Sequence, residues 1–158
     1  MLLGFGMNSD EAYKSLTQLS DIAAVTGADM NRLALAFGQS AAMGRVMTQD
    51  LNQFVNNGVP IYKLLGDVTG KSTGELREMA SQGTVTFDLL QKAFEKGTTA
   101  GGVFFKGTQS LSETLGGQLS TLKDNFALLM ADFGDSMGEY IKPLTASITG
   151  LVQGFSDL

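Results

Sequence analysis

The chain has 158 residues, enough for a domain of ordinary size with a full hydrophobic core, and 43% of them are hydrophobic while 17% are charged. It contains no cysteine, histidine or tryptophan, which excludes disulfides, thiol and imidazole chemistry, and zinc sites built on Cys or His. A net charge of −5 argues against a broad nucleic-acid-binding surface, and no apolar run approaches the roughly 20 residues of a membrane span.

Residues 1–97 predict an all-α domain, a compact bundle of about six short helices. Each segment carries apolar residues three or four apart, and none alternates with period two over the length of a strand. Glycines follow these segments at positions 27, 44, 58, 70, 83 and 97. Helices often end at a residue with a left-handed backbone, which glycine adopts without a steric penalty. The expected core positions are Ala12, Leu16, Leu19 and Ala23; Met30, Leu33, Phe37 and Ala41; Leu51, Phe54 and Val55; Ile61, Leu64, Leu65 and Val68; Leu76, Met79 and Ala80; and Phe87, Leu90 and Phe94.

Helix starts are marked by residues that satisfy the free N–H groups of a first turn. Asn8 with Glu11, and Ser72 with Glu75, have the spacing of a capping box, in which the two side chains bond each other's backbone N–H. The other predicted starts are Asp29, Thr48, Pro60 and Thr86, for the second, third, fourth and sixth helices.

The pattern changes after the sixth helix. Residues 98–107 predict a glycine-rich linker or hinge, with the apolar residues 103–105 folded back onto the bundle. Residues 108–158 predict one long amphipathic helix that starts at a capping box of Ser110 and Glu113. The predicted organisation is therefore a compact head, a hinge and a long helical segment.

Thirteen apolar residues, from Leu111 to Phe155, form a stripe along this helix in twelve steps that cover 44 residues. The mean spacing of about 3.67 matches an eleven-residue repeat and predicts a nearly straight or slightly right-handed seam, which Pro143 should kink or end. Soluble monomers rarely expose so long an apolar strip, so it must fold back on residues 1–107, pair with another chain or fray after Pro143. Folding back can cover only part of it, and we therefore expect the stripe to mediate self-association. The residues assigned to this packing seam are Leu115, Leu119, Leu122, Phe126, Leu129, Phe133, Met137 and Tyr140.

Residues 66–72 look like a phosphate-binding loop, but the pattern fails in two respects. Only three residues separate Gly66 from Gly70, where that loop needs four, and an amphipathic helix precedes them in place of a strand. The end of one helix at Gly70 and a cap at Ser72 explain the same residues. We therefore predict no nucleotide cofactor and no enzymatic activity.

Two further patterns in the long helix have ordinary structural explanations. Asp132, Asp135 and Glu139 fit a solvated helix face better than a metal site, which needs converging oxygens. The glycine pairs 134/138 and 150/154 have the spacing of membrane helix contacts, but they lie among charged residues and a proline. No metal, cofactor or catalytic residue is predicted.

A series of segments in a fixed order carries a family resemblance. They are LSDIAAVTG at 19–27, LALAFGQ at 33–39, MGR at 43–45, QDL at 49–51, NGVP at 57–60, GELREM at 74–79, GTVT at 83–86 and LQKAF at 90–94. Together they resemble the tape-measure motif of bacteriophage tail proteins, and residues 112–124 resemble the segment that often follows it. The resemblance extends over most of the chain, about residues 4–143.

The resemblance implies a long, mostly helical protein inside the tail of a phage or prophage. Tube subunits would polymerise around this protein, and its length would set the length of the tail. It would leave the tail ahead of the DNA during ejection. Its implied partners are tail tube subunits, tail-tip proteins and tail assembly chaperones, besides further copies of itself through the C-terminal helix. It implies a place in the virion tail, and in the host cytoplasm during assembly. It implies no sequence-specific nucleic-acid contact, and membrane contact only during ejection. Family members are usually far longer, so we expect this chain to be a fragment.

Composition alone leaves two other interpretations open. One is a helical adaptor unrelated to phage. The other is a membrane-active helical protein that uses the glycine-rich C-terminal part of the chain.

Overall fold

The computed structural model describes residues 2–133 and residue 150, and within them the chain is almost entirely α-helical. The predicted all-α class is therefore confirmed. A 3-10 turn at Leu2–Phe5 precedes helices α1 (Ser9–Thr26), α2 (Met30–Met43), α3 (Thr48–Asn56), α4 (Ile61–Thr69), α5 (Thr73–Ser81), α6 (Phe87–Thr98) and α7 (Gly107–Phe133).

A pair of two-residue strands is the one departure from helix among the described residues that the sequence did not predict. Strand β1 (Arg45–Val46) follows α2, and strand β2 (Val85–Thr86) precedes α6. They pair antiparallel, with Val46 opposite Val85, and both of these valines are fully buried. A strand of two residues is too short to produce an alternating pattern, so the periodicity of the sequence could not reveal it.

The chain divides into two compact units, Met1–Thr108 and Gln109–Leu158. The predicted bounds were a domain at 1–97, a linker at 98–107 and a helical segment at 108–158. The segment predicted as a linker lies within the first unit. Phe104 explains this, because its side chain is buried and its N–H donates to the carbonyl oxygen of Gly97 at 2.8 Å. Phe105 and Val103 beside it stay about half exposed, so only Phe104 folds back as predicted.

Helices α1 to α6 all contribute buried apolar side chains to the core of the first unit. Leu33 and Phe37 of α2, Leu64 and Leu65 of α4, and Phe94 of α6 are all buried. Most of the predicted core positions are buried or half-buried, but two are wrong. Leu16 of α1 and Val55 of α3 are more than 40% exposed, because α1 instead turns Ala12, Ser15, Leu19 and Ile22 inward and α3 turns Asp50, Leu51 and Phe54 inward.

Glycine ends the helices at five of the six predicted positions. Glycines 27, 44, 58, 70 and 83 all have a left-handed backbone, with φ between 66° and 79°. Gly97 is the exception, because it lies inside α6 and is buried there. A Cβ on Gly97 would lie 3.0 Å from Leu64 Cδ2 and 3.3 Å from Phe104 Cδ2, so close packing, and not a helix end, accounts for this glycine.

The predicted helix starts are mostly confirmed. Asn8 caps α1 with Glu11 in a complete capping box, Asp29 caps α2, and Thr86 caps α6. Pro60 lies one residue before α4 and not within it.

The predicted cap at Thr48 is wrong, because Thr48 is the first residue of α3 and Met47 precedes it without a side-chain cap. The buried carboxylate of Asp50 accepts the Met47 N–H at 2.8 Å instead. The carboxylate of the third residue of α3 therefore accepts the N–H of the residue that precedes the helix, and no side chain accepts the first-turn N–H groups as the threonine hydroxyl was expected to.

Candidate self-association surface

Helix α7 carries the described part of the apolar stripe. Leu111 is 43% exposed and Leu122 is 53% exposed, while Leu115 and Leu119 between them are half-buried. At about 100° per residue, these four leucines occupy a sector roughly 80° wide. The chain therefore presents a narrow leucine face along about three turns, exposed at Leu111 and Leu122 and half-buried between them.

The charged side chains of α7 that the structure describes lie outside this sector. Glu113, Lys123 and Asp124 are exposed, and their positions along the helix place them off the leucine face. Leu128 lies on the opposite side of α7 from the stripe and is 67% exposed. The stripe is thus flanked by polar groups, as expected of a surface that packs against another helix while the rest stays in water.

The remaining residues of the predicted seam are only partly described. Phe126, Leu129 and Phe133 lie in α7, as predicted, but their side chains are outside the described residues. Met137 and Tyr140 also lie outside them, as do Asp135, Glu139 and Pro143. The predictions for these positions stay predictions.

The start of α7 differs from the prediction. The helix begins at Gly107, so Ser110 lies inside its first turn and the predicted capping box of Ser110 and Glu113 is wrong. The Ser110 carbonyl oxygen accepts from Thr114 Oγ1 at 2.8 Å, and the Glu113 carboxylate accepts from Gln109 Nε2 at 2.9 Å. Both residues take part in contacts along the helix and not in a cap.

The first turn of α7 is capped by a residue of α1. The Thr108 N–H donates to Asp21 Oδ1 at 3.0 Å, across 87 positions of sequence. Gly107 is buried against α1, where a Cβ would overlap the Asp21 carbonyl oxygen and lie 2.8 Å from Val25 Cγ2. Lys106, just before the helix, has a left-handed backbone with φ of 54°. Sequence reasoning missed this anchor, since no local pattern relates Asp21 to a helix start so far away.

The segment that looks like a phosphate-binding loop is a helix end followed by a cap. Gly66 lies within α4, Gly70 ends that helix with φ of 71°, and Ser72 caps α5. Ser72 Oγ accepts the Glu75 N–H at 3.3 Å, while Glu75 Oε2 accepts the Ser72 N–H at 2.8 Å. The predicted capping box is present, and the local structure has no strand–loop–helix arrangement for a phosphate.

Hydrogen bonding lowers the pKa of Glu75 below its usual value of 4.5. The largest cause is the hydrogen bond from the Ser72 hydroxyl to Glu75 Oε2 at 2.7 Å, followed by the bond from the Ser72 N–H. Both favour the charged carboxylate, and Lys71 adds a smaller Coulombic contribution. The perturbed carboxylate thus belongs to a structural cap.

The described residues show neither a metal-binding group of side chains nor a membrane-spanning helix. In residues 2–133 and 150, no three His, Cys, Asp or Glu side chains are grouped closely enough to hold a metal ion. Across the same residues, no helix has both the length and the apolar character needed to cross a membrane.

Comparisons with known proteins agree on one family. A family model described as tape measure protein matches residues 1–135. Relatives include a tape measure protein of Lactococcus phage F4-1, 32% identical over 45% of this chain and 21% of its own length. A probable tape measure protein of Salmonella phage Felix O1 is 28% identical over 96% of this chain and 20% of its own length, and one of Escherichia phage Mu is 28% identical over 58% and 14%.

The chain thus spans between 14% and 21% of the length of these relatives. No solved structure matches it significantly.

Proposed function

This chain belongs to the tape measure protein family, and on that premise we propose that it is a structural, non-enzymatic part of a longer protein that sets the length of a phage tail. In this proposal the tail tube polymerises around the parent protein, which leaves the tail ahead of the DNA during ejection. The observation that supports the proposal most is the family match, which covers residues 1–135 and so includes the compact unit and α7 together.

Helical structure suits a protein that measures distance. An α-helix advances 1.5 Å per residue, so the number of residues converts directly into length. The described part of α7 has 27 residues and is therefore about 40 Å long, far shorter than a phage tail. We infer that the chain contributes a folded module and the beginning of a rod, and that the rest of the parent protein supplies the length.

We also propose that the chain associates with further copies of itself through the apolar stripe of α7. The support is the exposure of Leu111 and Leu122 on one narrow face of α7. Together with Leu115 and Leu119, these two leucines keep the spacing of a helix-packing seam. Fully burying an exposed leucine side chain contributes about 1.5–3 kcal/mol. Because all four leucines are already partly covered, each contributes only part of that amount, and the sum must exceed the loss of translational and rotational freedom.

The other partners follow from the family alone. Tail tube subunits, tail-tip proteins and tail assembly chaperones are proposed partners, with the virion tail as the final location and the host cytoplasm as the place of assembly. Membrane contact belongs, in this proposal, to ejection only. Family membership sets aside the interpretation as an adaptor unrelated to phage.

The tail-length proposal is tested by changing the length of the parent protein. An in-frame deletion of 60 residues or so from a helical region after this chain should shorten the tail by about 90 Å, and a duplication of the same segment should lengthen it equally. Electron microscopy of purified virions measures the tails. A matched control replaces the same residues by a different helical sequence of equal length and should leave the tail length unchanged.

Tails of normal length in both the deletion and the duplication would contradict the proposal. Liposome co-sedimentation tests the membrane-active alternative separately, and it should show no binding of the free chain at physiological salt.

A further inference from the structure

The sequence at the start of α7 is a poor helix former. Seven of the first eleven residues of α7 are glycine, serine or threonine, including the adjacent pair Gly116 and Gly117. Glycine costs up to about 1 kcal/mol in a helix relative to alanine, and serine and threonine are also below average. The first hydrogen-bonded turn of any helix is the costly step, because several residues must be ordered for one hydrogen bond.

The structure places unusual support at this weak point. Thr108 is the second residue of α7, and its N–H is one of the four that a helix leaves without an internal partner. Asp21 Oδ1 accepts it at 3.0 Å from α1, so the carboxylate occupies the role of an N-cap although it is distant in sequence. Its negative charge also lies at the end of α7 where the helix dipole is positive.

Gly107 is what allows α1 to approach so closely. The residue is buried, and a side chain there would overlap the backbone carbonyl oxygen of Asp21. Phe104, buried three residues earlier, accepts the Gly107 N–H through its carbonyl oxygen at 3.0 Å. The chain entering α7 is therefore held from two sides before the helix begins.

We propose that Asp21 is a positioning residue that stabilises the start of α7, so that the first turns of this helix depend on a folded α1. The helix that carries the apolar stripe is thereby coupled to the folding of the first unit: loss of the Asp21 cap frays α7 from its beginning. The proposal concerns helix formation alone, so it stands or falls independently of the proposed role in tails.

Amide hydrogen exchange, followed by NMR on the full chain, tests the proposal residue by residue. In Asp21→Ala, the amides of residues 108–115 should exchange roughly five-fold faster, the size expected when an N-cap is lost. In Asp21→Asn, which keeps an oxygen acceptor, their protection should return to within about two-fold of the wild-type chain. Asparagine caps helices about as well as aspartate, so this rescue distinguishes a cap from a general effect of mutating α1.

Thr17→Ala is the matched control, because Thr17 is an exposed residue of α1 one turn before Asp21. It should leave the exchange at residues 108–115 unchanged. The core amides of Leu19 and Ile22, on the buried face of α1, should stay protected in all three variants and so report that the first unit is folded. Unchanged protection of residues 108–115 in Asp21→Ala, with these core amides intact, would overturn the proposal. So would a failure of Asp21→Asn to restore protection.

Discussion

The rings of Phe37 and Phe94 stack at 5.5 Å between centroids, with their planes inclined by 16°, and join α2 to α6 at the centre of the first unit. Phe54 of α3 meets the same Phe94 ring edge to face at 5.3 Å. All three side chains are fully buried. Phe94 therefore connects three helices through aromatic contacts. Each contact contributes stability beyond that of the buried apolar area alone.

Replacing Phe94 with alanine should destabilise the first unit more than any surface change. We expect Phe94→Ala to lower the free energy of unfolding by about 3–5 kcal/mol, because the cavity would remove both aromatic contacts. Urea denaturation followed by circular dichroism measures the loss. Phe105→Ala is the control, since Phe105 is 44% exposed, and it should cost less than about 1 kcal/mol. Equal losses in the two variants would contradict this description of the core.

The cap of α5 predicts opposite effects for two adjacent residues. Ser72→Ala should lower the free energy of unfolding by about 1 kcal/mol, because it removes the side-chain acceptor for the Glu75 N–H. Lys71→Ala should change it by less than about 0.5 kcal/mol, since Lys71 is an exposed residue outside α5. Thermal unfolding compares them. A larger loss at Lys71 than at Ser72 would refute the assignment of this segment as a cap.

Glu75 makes the stability of the first unit depend on pH in acid. Its pKa is lowered in the folded chain, chiefly by the Ser72 hydroxyl, so the folded state favours the charged carboxylate. The stabilisation is fully present above the usual pKa of 4.5 and is lost as the pH falls through the lower pKa of the folded state.

Glu75→Gln isolates this effect, because glutamine fits a capping box but does not titrate. The melting temperature of the wild-type chain should exceed that of Glu75→Gln near pH 7, and the difference should shrink toward about pH 3. A difference that stays constant over this range would show that the charge of Glu75 contributes nothing.

Replacing either of two glycines of α7 with alanine should have opposite effects on the stability of this helix. At Gly116 an added Cβ meets no atom of the described residues within 4 Å, so Gly116→Ala should stabilise the helix by about 0.5–1 kcal/mol. At Gly107 the Cβ would overlap the Asp21 carbonyl oxygen, a backbone atom that cannot move aside easily. Gly107→Ala should therefore reduce helicity near residue 107 despite its better helix propensity. Amide exchange in α7 measures both, and increased protection in both variants would contradict the close approach of α1.

Local signals were sufficient for much of the first unit. The capping boxes at Asn8 and Ser72, and the left-handed glycines that end helices, depend on residues within a few positions of each other, so their patterns are visible in the sequence. Helical spacing likewise identified most of the buried face of each helix. It failed for Leu16 and Val55, because a wide apolar face does not reveal which of its edges meets a neighbour.

Features that depend on distant residues were not predictable in this way. The pairing of Val46 with Val85, the packing of Gly97 against Leu64 and the cap supplied by Asp21 each join positions more than 30 apart. The leucine spacing of α7 is periodic and therefore visible in the sequence, whereas the start of α7 is set by contacts with α1 that the sequence does not show.

Sedimentation equilibrium measures directly whether the chain associates with itself through the apolar stripe. At about 100 µM, where even a dissociation constant of ~10 µM gives mostly complexes, the wild-type chain should sediment as an oligomer. The triple variant Leu115→Glu, Leu119→Glu, Leu122→Glu should sediment as a folded monomer. Leu128→Glu, a matched change on the opposite side of α7, should remain oligomeric. A wild-type chain that has the mass of a single copy at this concentration would contradict the claim, as would loss of the oligomer in Leu128→Glu alone.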